Sequence, residues 1–198
     1  MLTTKILAAT NNPDKLIEIC RILEPLGVSV ISPAEAGVSI EVDETGTTFA
    51  ENAQLKARAF FEASGLPSLA DDSGLCVDAL DGRPGLDTAF YQGENASYET
   101  RISALVGELN DVPDERRTAR FICHLCLVMD GENVLDCEGV CEGMIGHAPK
   151  GDGGFGYDPI FYVDGKSMAE RPKAEKDYLS HRGRALREFA ALLCTLAP

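Results

Sequence analysis

The chain has 198 residues, 44% of them apolar, and carries a formal charge of −14 from 18 Lys+Arg against 32 Asp+Glu. That length suits one domain over residues 1–198, with room for a small second lobe. The acidic balance argues against a nucleic-acid polymer as partner, because such partners usually need a basic footprint. No apolar run approaches the ~18 residues of a membrane span.

The first residues lead directly into a short strand pattern over 5–9 and do not read as a signal peptide. Asn12 followed by Pro13 is a good N-cap and N1 pair. Leu16, Ile19, Cys20 and Leu23 then repeat at helical spacing up to Gly27, and residues 28–32 form a second short strand. Thr48-Phe49-Ala50-Glu51 has the spacing of a capping box and predicts a helix to Ser64, closed by Gly65. Residues 67–70 and 75–79 are strand candidates flanking a turn at Asp71-Asp72, since Asp has low strand propensity and is costly to bury without a partner. Ser97 opens a third helix with Ile102, Leu105, Val106 and Leu109 on one face, followed by a polar loop over 110–117. Residues 118–129 and 134–142 flank Asp130-Gly131-Glu132-Asn133 as a hairpin. Ser180 begins the last helix, with Leu186, Phe189, Ala190 and Leu193 inward. Alternation followed by a hairpin predicts an α/β fold with a mixed sheet, helices on its faces and a cleft.

Seven cysteines is an odd number for a disulfide framework and favours a reducing cytoplasm. The pairs Cys123/Cys126 and Cys137/Cys141 invite a zinc reading. Residues three apart on a strand face opposite ways, however, so Cys123 and Cys126 read as buried apolar residues.

Five segments carry chemistry. In Ala9-Thr10-Asn11-Asn12-Pro13-Asp14-Lys15 a strand meets a helix N-terminus, where N–H groups and the dipole favour anions; a plainly capped helix start is the alternative. Asp43-Glu44-Thr45-Gly46 and Asp71-Asp72-Ser73-Gly74 place carboxylates on separate loops, as Mg²⁺ prefers, with Glu44 and Asp72 the leading ligands and Asp43, Asp71 and Asp78 as alternatives. Ser73 can hydrogen-bond a phosphate or a sugar. Lys56, one turn after Asn52, is either a phosphate ligand or a solvated lysine. Gly151-Asp152-Gly153-Gly154-Phe155-Gly156-Tyr157-Asp158 would let backbone approach a planar ligand, with Phe155 and Tyr157 offering faces to a purine or packing in the core. Lys176, His181 and Arg182 form a cluster of cations, and Ser180 as N-cap puts His181 and Arg182 in a first helical turn, against the dipole, as donors would be placed for an acceptor-rich ligand edge.

In this order the five segments resemble the inosine triphosphate pyrophosphatase family, over about residues 5–189. The resemblance implies an elongated mixed β-sheet flanked by helices, two lobes with a central cleft, and a homodimer. It implies Mg²⁺-dependent hydrolysis of ITP, dITP and XTP to the monophosphate and pyrophosphate. Thr10, Asn11, Asn12, Pro13, Asp14 and Lys15 would hold the triphosphate, with Lys56 and Ser73. Glu44 and Asp72 would bind Mg²⁺, with Asp72 also the candidate base for the attacking water. Phe155, Gly156, Tyr157 and Asp158 would line the nucleoside pocket, and Lys176, His181 and Arg182 would read the purine edge. A nucleotide sensor without turnover and a pyrophosphatase with little base preference are the rival readings. Family members commonly carry serine and arginine where Thr88 and Phe90 stand, which puts subunit contacts or substrate range in question.

Overall fold

The computed structural model describes residues 5–131 and 134–195. The first four residues, read above as no signal peptide, and Glu132 and Asn133 of the expected turn lie outside the described residues. Seven strands form one mixed sheet in the order β2-β1-β3-β4-β5-β6-β7. They are β1 (Lys5–Ala8), β2 (Ser29–Ile31), β3 (Ser68–Val77), β4 (Thr118–Val128), β5 (Val134–Ile145), β6 (Phe161–Val163) and β7 (Lys166–Ser167). β1 runs parallel to β2 and β3, whereas β6 is antiparallel to β5 and β7. The helices are α1 (Pro13–Leu23), α2 (Phe49–Ser64), α3 (Tyr98–Glu108), α4 (Lys173–Leu179) and α5 (His181–Thr195). Among the described residues no helix is long and apolar enough to cross a membrane.

The helix starts follow their local chemistry. The Asn12 side chain caps α1, with Pro13 in its first turn. Thr48 and Ser97 cap α2 and α3 by accepting from Glu51 N and Thr100 N. Gly27 and Gly65 take the left-handed conformation after the first two helical segments, where a Cβ would be strained.

Compact packing divides the chain into two units. The first takes Met1–Asp72, Cys123–Gly139 and His181–Pro198; the second takes Ser73–Ile122 and Val140–Ser180. In the first unit the strands bury both faces. Ile6, Ala8 and Leu69 pack with Ile19, Leu23, Leu186 and Phe189 on one side. Leu7, Ala9 and Ala70 pack with Ala53, Ala57 and Phe60 on the other. Each such large aliphatic or aromatic side chain contributes roughly 1.5–3 kcal/mol on burial. Cys123 belongs to the first cluster and Cys126 to the second, as the period of two requires. The second unit has its own core, including Leu75, Leu105, Tyr157 and Phe161.

One expectation is corrected. Asp71 and Asp72 do not make a turn between two strands; β3 runs unbroken through them from Ser68 to Val77. The cost of placing two carboxylates in a strand is offset by cations from both faces. Residues 173–179 also form a helix of their own, α4, which the spacing had not separated from the connection before α5.

Candidate functional site

Strand alternation decides the chemistry of the Asp pair. Asp71 shares a face with Leu69, toward α1 and α5, and Asp72 shares a face with Ala70, toward α2. Asp71 is fully buried. Its Oδ2 receives Lys15 Nζ at 3.1 Å, Arg182 Nε at 3.1 Å and Arg182 Nη2 at 2.9 Å. Arg182 Nη1 donates to Glu18 Oε2 at 2.6 Å, and Glu18 is buried too. Burial works against the Asp71 carboxylate, but Lys15, Arg182 and Lys56 outweigh it and hold the carboxyl well below the usual range. Burial likewise opposes the Arg182 charge, and Asp71 and Glu18 push its pKa up.

On the opposite face, Asp72 Oδ2 accepts from Asn52 Nδ2 at 3.2 Å and Oδ1 from Lys56 Nζ at 3.2 Å. The same ammonium donates to Glu44 Oε2 at 2.8 Å. Lys56 thus bridges the two carboxylates expected to hold a divalent ion. Desolvation lowers its pKa, but Asp72, Asp71 and Glu44 raise it further, so the lysine stays charged. The Glu44 carboxyl is pushed up by burial, against the pull of Lys56, and the neighbouring Asp72 adds to the rise. One ammonium between two carboxylates leaves negative charge under-compensated, a setting in which a divalent cation gains.

The donor set fits Mg²⁺. Two carboxylates meet its preference for few protein ligands, with water and phosphate oxygens completing the shell. Lys15, Lys56 and Arg182 are three cations against the four carboxylates Glu18, Glu44, Asp71 and Asp72. A triphosphate brought to this network would therefore meet no excess of positive charge without an added cation.

At the start of α1 the donors expected to face an anion are already engaged. Asn12 N donates to Thr10 Oγ1 at 3.1 Å, and Asn12 Oδ1 receives Asp14 N at 2.9 Å and Lys15 N at 3.2 Å. Asn11 Nδ2 donates to Ile40 O at 2.9 Å. Pro13 has no N–H, and Pro13 and Asp14 are exposed. A phosphate here would exchange with the Asn12 cap.

In the second unit, Lys176 is buried on α4. Its Nζ lies 2.6 Å from Asp158 Oδ2 and 4.7 Å from the centroid of the Phe155 ring. Asp158 Oδ2 also receives Phe155 N at 2.8 Å. The loop glycines answer to the fold itself. A Cβ on Gly154, at φ +70°, would stand 2.0 Å from Asp158 Oδ2. Cβ atoms on Gly151 and Gly153 would meet the Ala169 backbone, and one on Gly156 the Tyr98 ring. Tyr157 is a core residue: it is buried, stands edge-on to Tyr98 with centroids 5.6 Å apart, and donates to Thr88 O at 3.3 Å. Phe155 is half-buried and so is Ser73, which continues β3 directly after Asp72. Thr88, one of the two departures, receives Leu75 N at 2.9 Å and donates to Gly85 O, which a serine hydroxyl would also do. Phe90 stands exposed.

The Ham1 family model matches residues 6–192 of the chain. The chain belongs to the Ham1 family. Relatives named dITP/XTP pyrophosphatase include one from Shigella flexneri, 46% identical over 92% of this chain and 94% of its own length. Another, from Geobacter sulfurreducens, is 48% identical over 92% and 93%. Among solved structures, a HAM1 protein from Coxiella burnetii superposes with a TM-score of 0.88 at 40% identity, covering 98% of this chain and all of that one. The Staphylococcus aureus Ham1 protein gives 0.86 at 38% identity, over 97% and 99%.

In this Ham1 chain the structure brings Lys15, Glu44, Lys56, Asp72 and Arg182 onto the two faces of β3. It places Phe155, Asp158 and Lys176 together in the second unit. His181, half-buried, opens α5. That helix start lies close on β5, where a Cβ on Gly139 would stand 2.2 Å from His181 O. Arg182, expected to offer donors to a ligand edge, is instead paired within the protein, each of its nitrogens donating to a carboxylate. Sequence reasoning missed Glu18 and Asn52. The usable signals were a Glu three residues after Lys15, beside the apolar Ile19, and an Asn four residues before Lys56.

Proposed function

We propose that this protein hydrolyses the deaminated purine nucleoside triphosphates ITP, dITP and XTP to the nucleoside monophosphate and pyrophosphate. The observation that carries this reading is the Lys56 ammonium bridging Glu44 and Asp72, in a chain 46–48% identical to proteins named dITP/XTP pyrophosphatase. Water attacks the α-phosphorus: an O–P bond forms, the bond to the bridging oxygen breaks, and pyrophosphate leaves. Asp72 positions that water and accepts its proton. Glu44 and Asp72 would hold Mg²⁺, which would supply charge neutralisation on the phosphates and favour deprotonation of the attacking water.

Lys15 and Lys56 offset phosphate charge at the transition state, from positions fixed by Asp71 and by Glu44 with Asp72. Thr10, Asn11, Asn12 and Ser73 supply further hydrogen bonds to the phosphates. Phe155 offers a ring face to the purine. Lys176, oriented by Asp158, acts on the carbonyl at C6 of hypoxanthine or xanthine. Arg182 is held by Asp71 and Glu18 and fixes the Asp71 carboxylate that orients Lys15. Adenine presents an amino group at C6, which would leave buried donors unmatched and lower affinity.

The test is pyrophosphate release with Mg²⁺ from ITP, XTP, dITP, ATP and GTP by the wild type and by Asp72→Asn. Fast release from the first three, slow release from ATP and GTP, and loss in the variant are expected. Equal turnover of all five would overturn the base selection. Tight ITP binding without turnover would make the protein a sensor.

A further inference from the structure

Asn52 lies in the first turn of α2 and is buried, with 4% of its surface exposed. Its Nδ2 donates to Asp72 Oδ2 at 3.2 Å, while its Oδ1 accepts from Gly46 N at 2.8 Å. A single amide therefore joins the carboxylate on β3 to the loop that carries Glu44, two residues before Gly46. The amide has only one workable orientation. The Gly46 N–H can only donate, so the amide oxygen must face it and the amide NH2 is left facing Asp72.

The loop is otherwise tied to the same helix turn by Glu51, whose Oε2 accepts from Thr47 N at 2.6 Å and Thr47 Oγ1 at 2.9 Å. One turn on, Lys56 reaches Glu44 and the other oxygen of Asp72. Lys56 supplies charge; Asn52 is neutral and supplies geometry. Gly46 fits the same arrangement. A Cβ there would stand 2.6 Å from Asn52 Oδ1 and 2.7 Å from Glu51 Cβ, so any side chain would push the loop off the amide.

We propose that Asn52 is a positioning residue that fixes Glu44 and Asp72 at the spacing a divalent cation needs. The inference rests on the assignment of those two carboxylates as ligands under Proposed function. Groups that orient metal ligands typically cost about 10–100-fold in affinity when removed.

The experiment measures Mn²⁺ binding to the nucleotide-free protein by the electron paramagnetic resonance signal of free Mn²⁺. Asn52→Ala, Gly46→Ala and the double variant are compared with the wild type, and each fold is checked by circular dichroism. Asn52→Ala is expected to weaken Mn²⁺ binding about 10–100-fold and to shift the Mn²⁺ midpoint for pyrophosphate release by the same factor. Gly46→Ala should act in the same direction. The double variant should lose less than the two single effects combined, because both changes break the Asn52–Gly46 contact and only the clash with Glu51 Cβ is separate. A folded Asn52→Ala within two-fold of wild type, or additive effects in the double variant, would overturn the proposal. If Asn52→Ala does not fold, Gly46→Ala carries the test by itself, since the amide remains in place and only the loop is displaced. Absence of Mn²⁺ binding by the wild type would remove the ligand assignment and this proposal together. Binding lost in Asp72→Asn but kept in Asn52→Ala would remove this proposal alone.

Discussion

Replacing Asp71 with Asn tests the buried charge network directly. The change keeps the shape of the side chain and removes one charge, as protonation would. Asp71 Oδ2 sits 3.1 Å from Lys15 Nζ and 2.9 Å from Arg182 Nη2. At an effective dielectric of about 20, each contact at that range is a gross attraction of roughly 5–6 kcal/mol. Desolvation of the ions offsets much of it, at several kcal/mol per ion. Removing one partner from such a buried cluster leaves the others uncompensated and costs about 3–5 kcal/mol. For a chain of this size each kcal/mol lowers the melting temperature by about 2–4 °C, so Asp71→Asn should melt about 6–20 °C below wild type at pH 7.

The pH dependence has a definite sign. The folded carboxyl of Asp71 is held below its unfolded value, so its stabilisation is complete above the unfolded pKa of about 3.9 and is lost as pH falls toward the folded pKa. The gap between wild type and variant should hold from pH 7 to about 5. It should then close by up to about 1.4 kcal/mol for each further pH unit below about 4. Melting followed by circular dichroism across that range measures both. A variant melting within about 2 °C of wild type at pH 7, or a gap that widens in acid, would refute the account of this network.

Thr88→Val removes the acceptor of Leu75 N and should cost about 1–3 kcal/mol in urea denaturation. Thr88→Ser should stay within about 1 kcal/mol of wild type; equal losses in both variants would show that the hydroxyl is not what matters. Gly154→Ala forces a Cβ toward Asp158 Oδ2 at a backbone φ of +70°, and should cost about 1–3 kcal/mol in thermal melting while raising the KM for ITP. Unchanged melting and KM would disprove the role given to that glycine. Burial pushes the Cys123, Cys126 and Cys137 thiols up, the last to about 12, whereas Cys194 is exposed. Ellman's reagent should therefore label Cys194 quickly and those three only on unfolding; fast labelling of the three in the native protein would contradict their placement in the core.

The parts of the fold that were legible in the sequence are those settled within a few residues. The Asn12-Pro13 start, the Thr48 and Ser97 caps and the closing glycines depend on contacts inside one turn, and they stand where the spacing put them. β3 was not legible as one strand for the opposite reason. Asp71 and Asp72 break strand propensity locally, and what makes them tolerable lies 111 residues away at Arg182 and 16 residues away at Lys56. The same blindness applies to Arg182. A cation at a helix start looks misplaced when judged by the helix dipole alone, and Asp71 and Glu18 supply the missing compensation from β3 and α1. Glycine spacing could not separate ligand approach from chain packing, because Gly154 is small for the sake of Asp158, a residue of the same loop. These mismatches are not scattered. Asp71, Asp72 and Arg182 each violate a local rule, and tertiary contacts bring Arg182 and Lys56 against the strand that carries the two Asp, so the places where local reasoning failed coincide with the candidate site. A chain selected for stability alone could fill the two faces of β3 with apolar side chains, as Leu69 and Ala70 already do. Retaining four carboxylates and three cations there is therefore an argument for chemistry with phosphates rather than for folding.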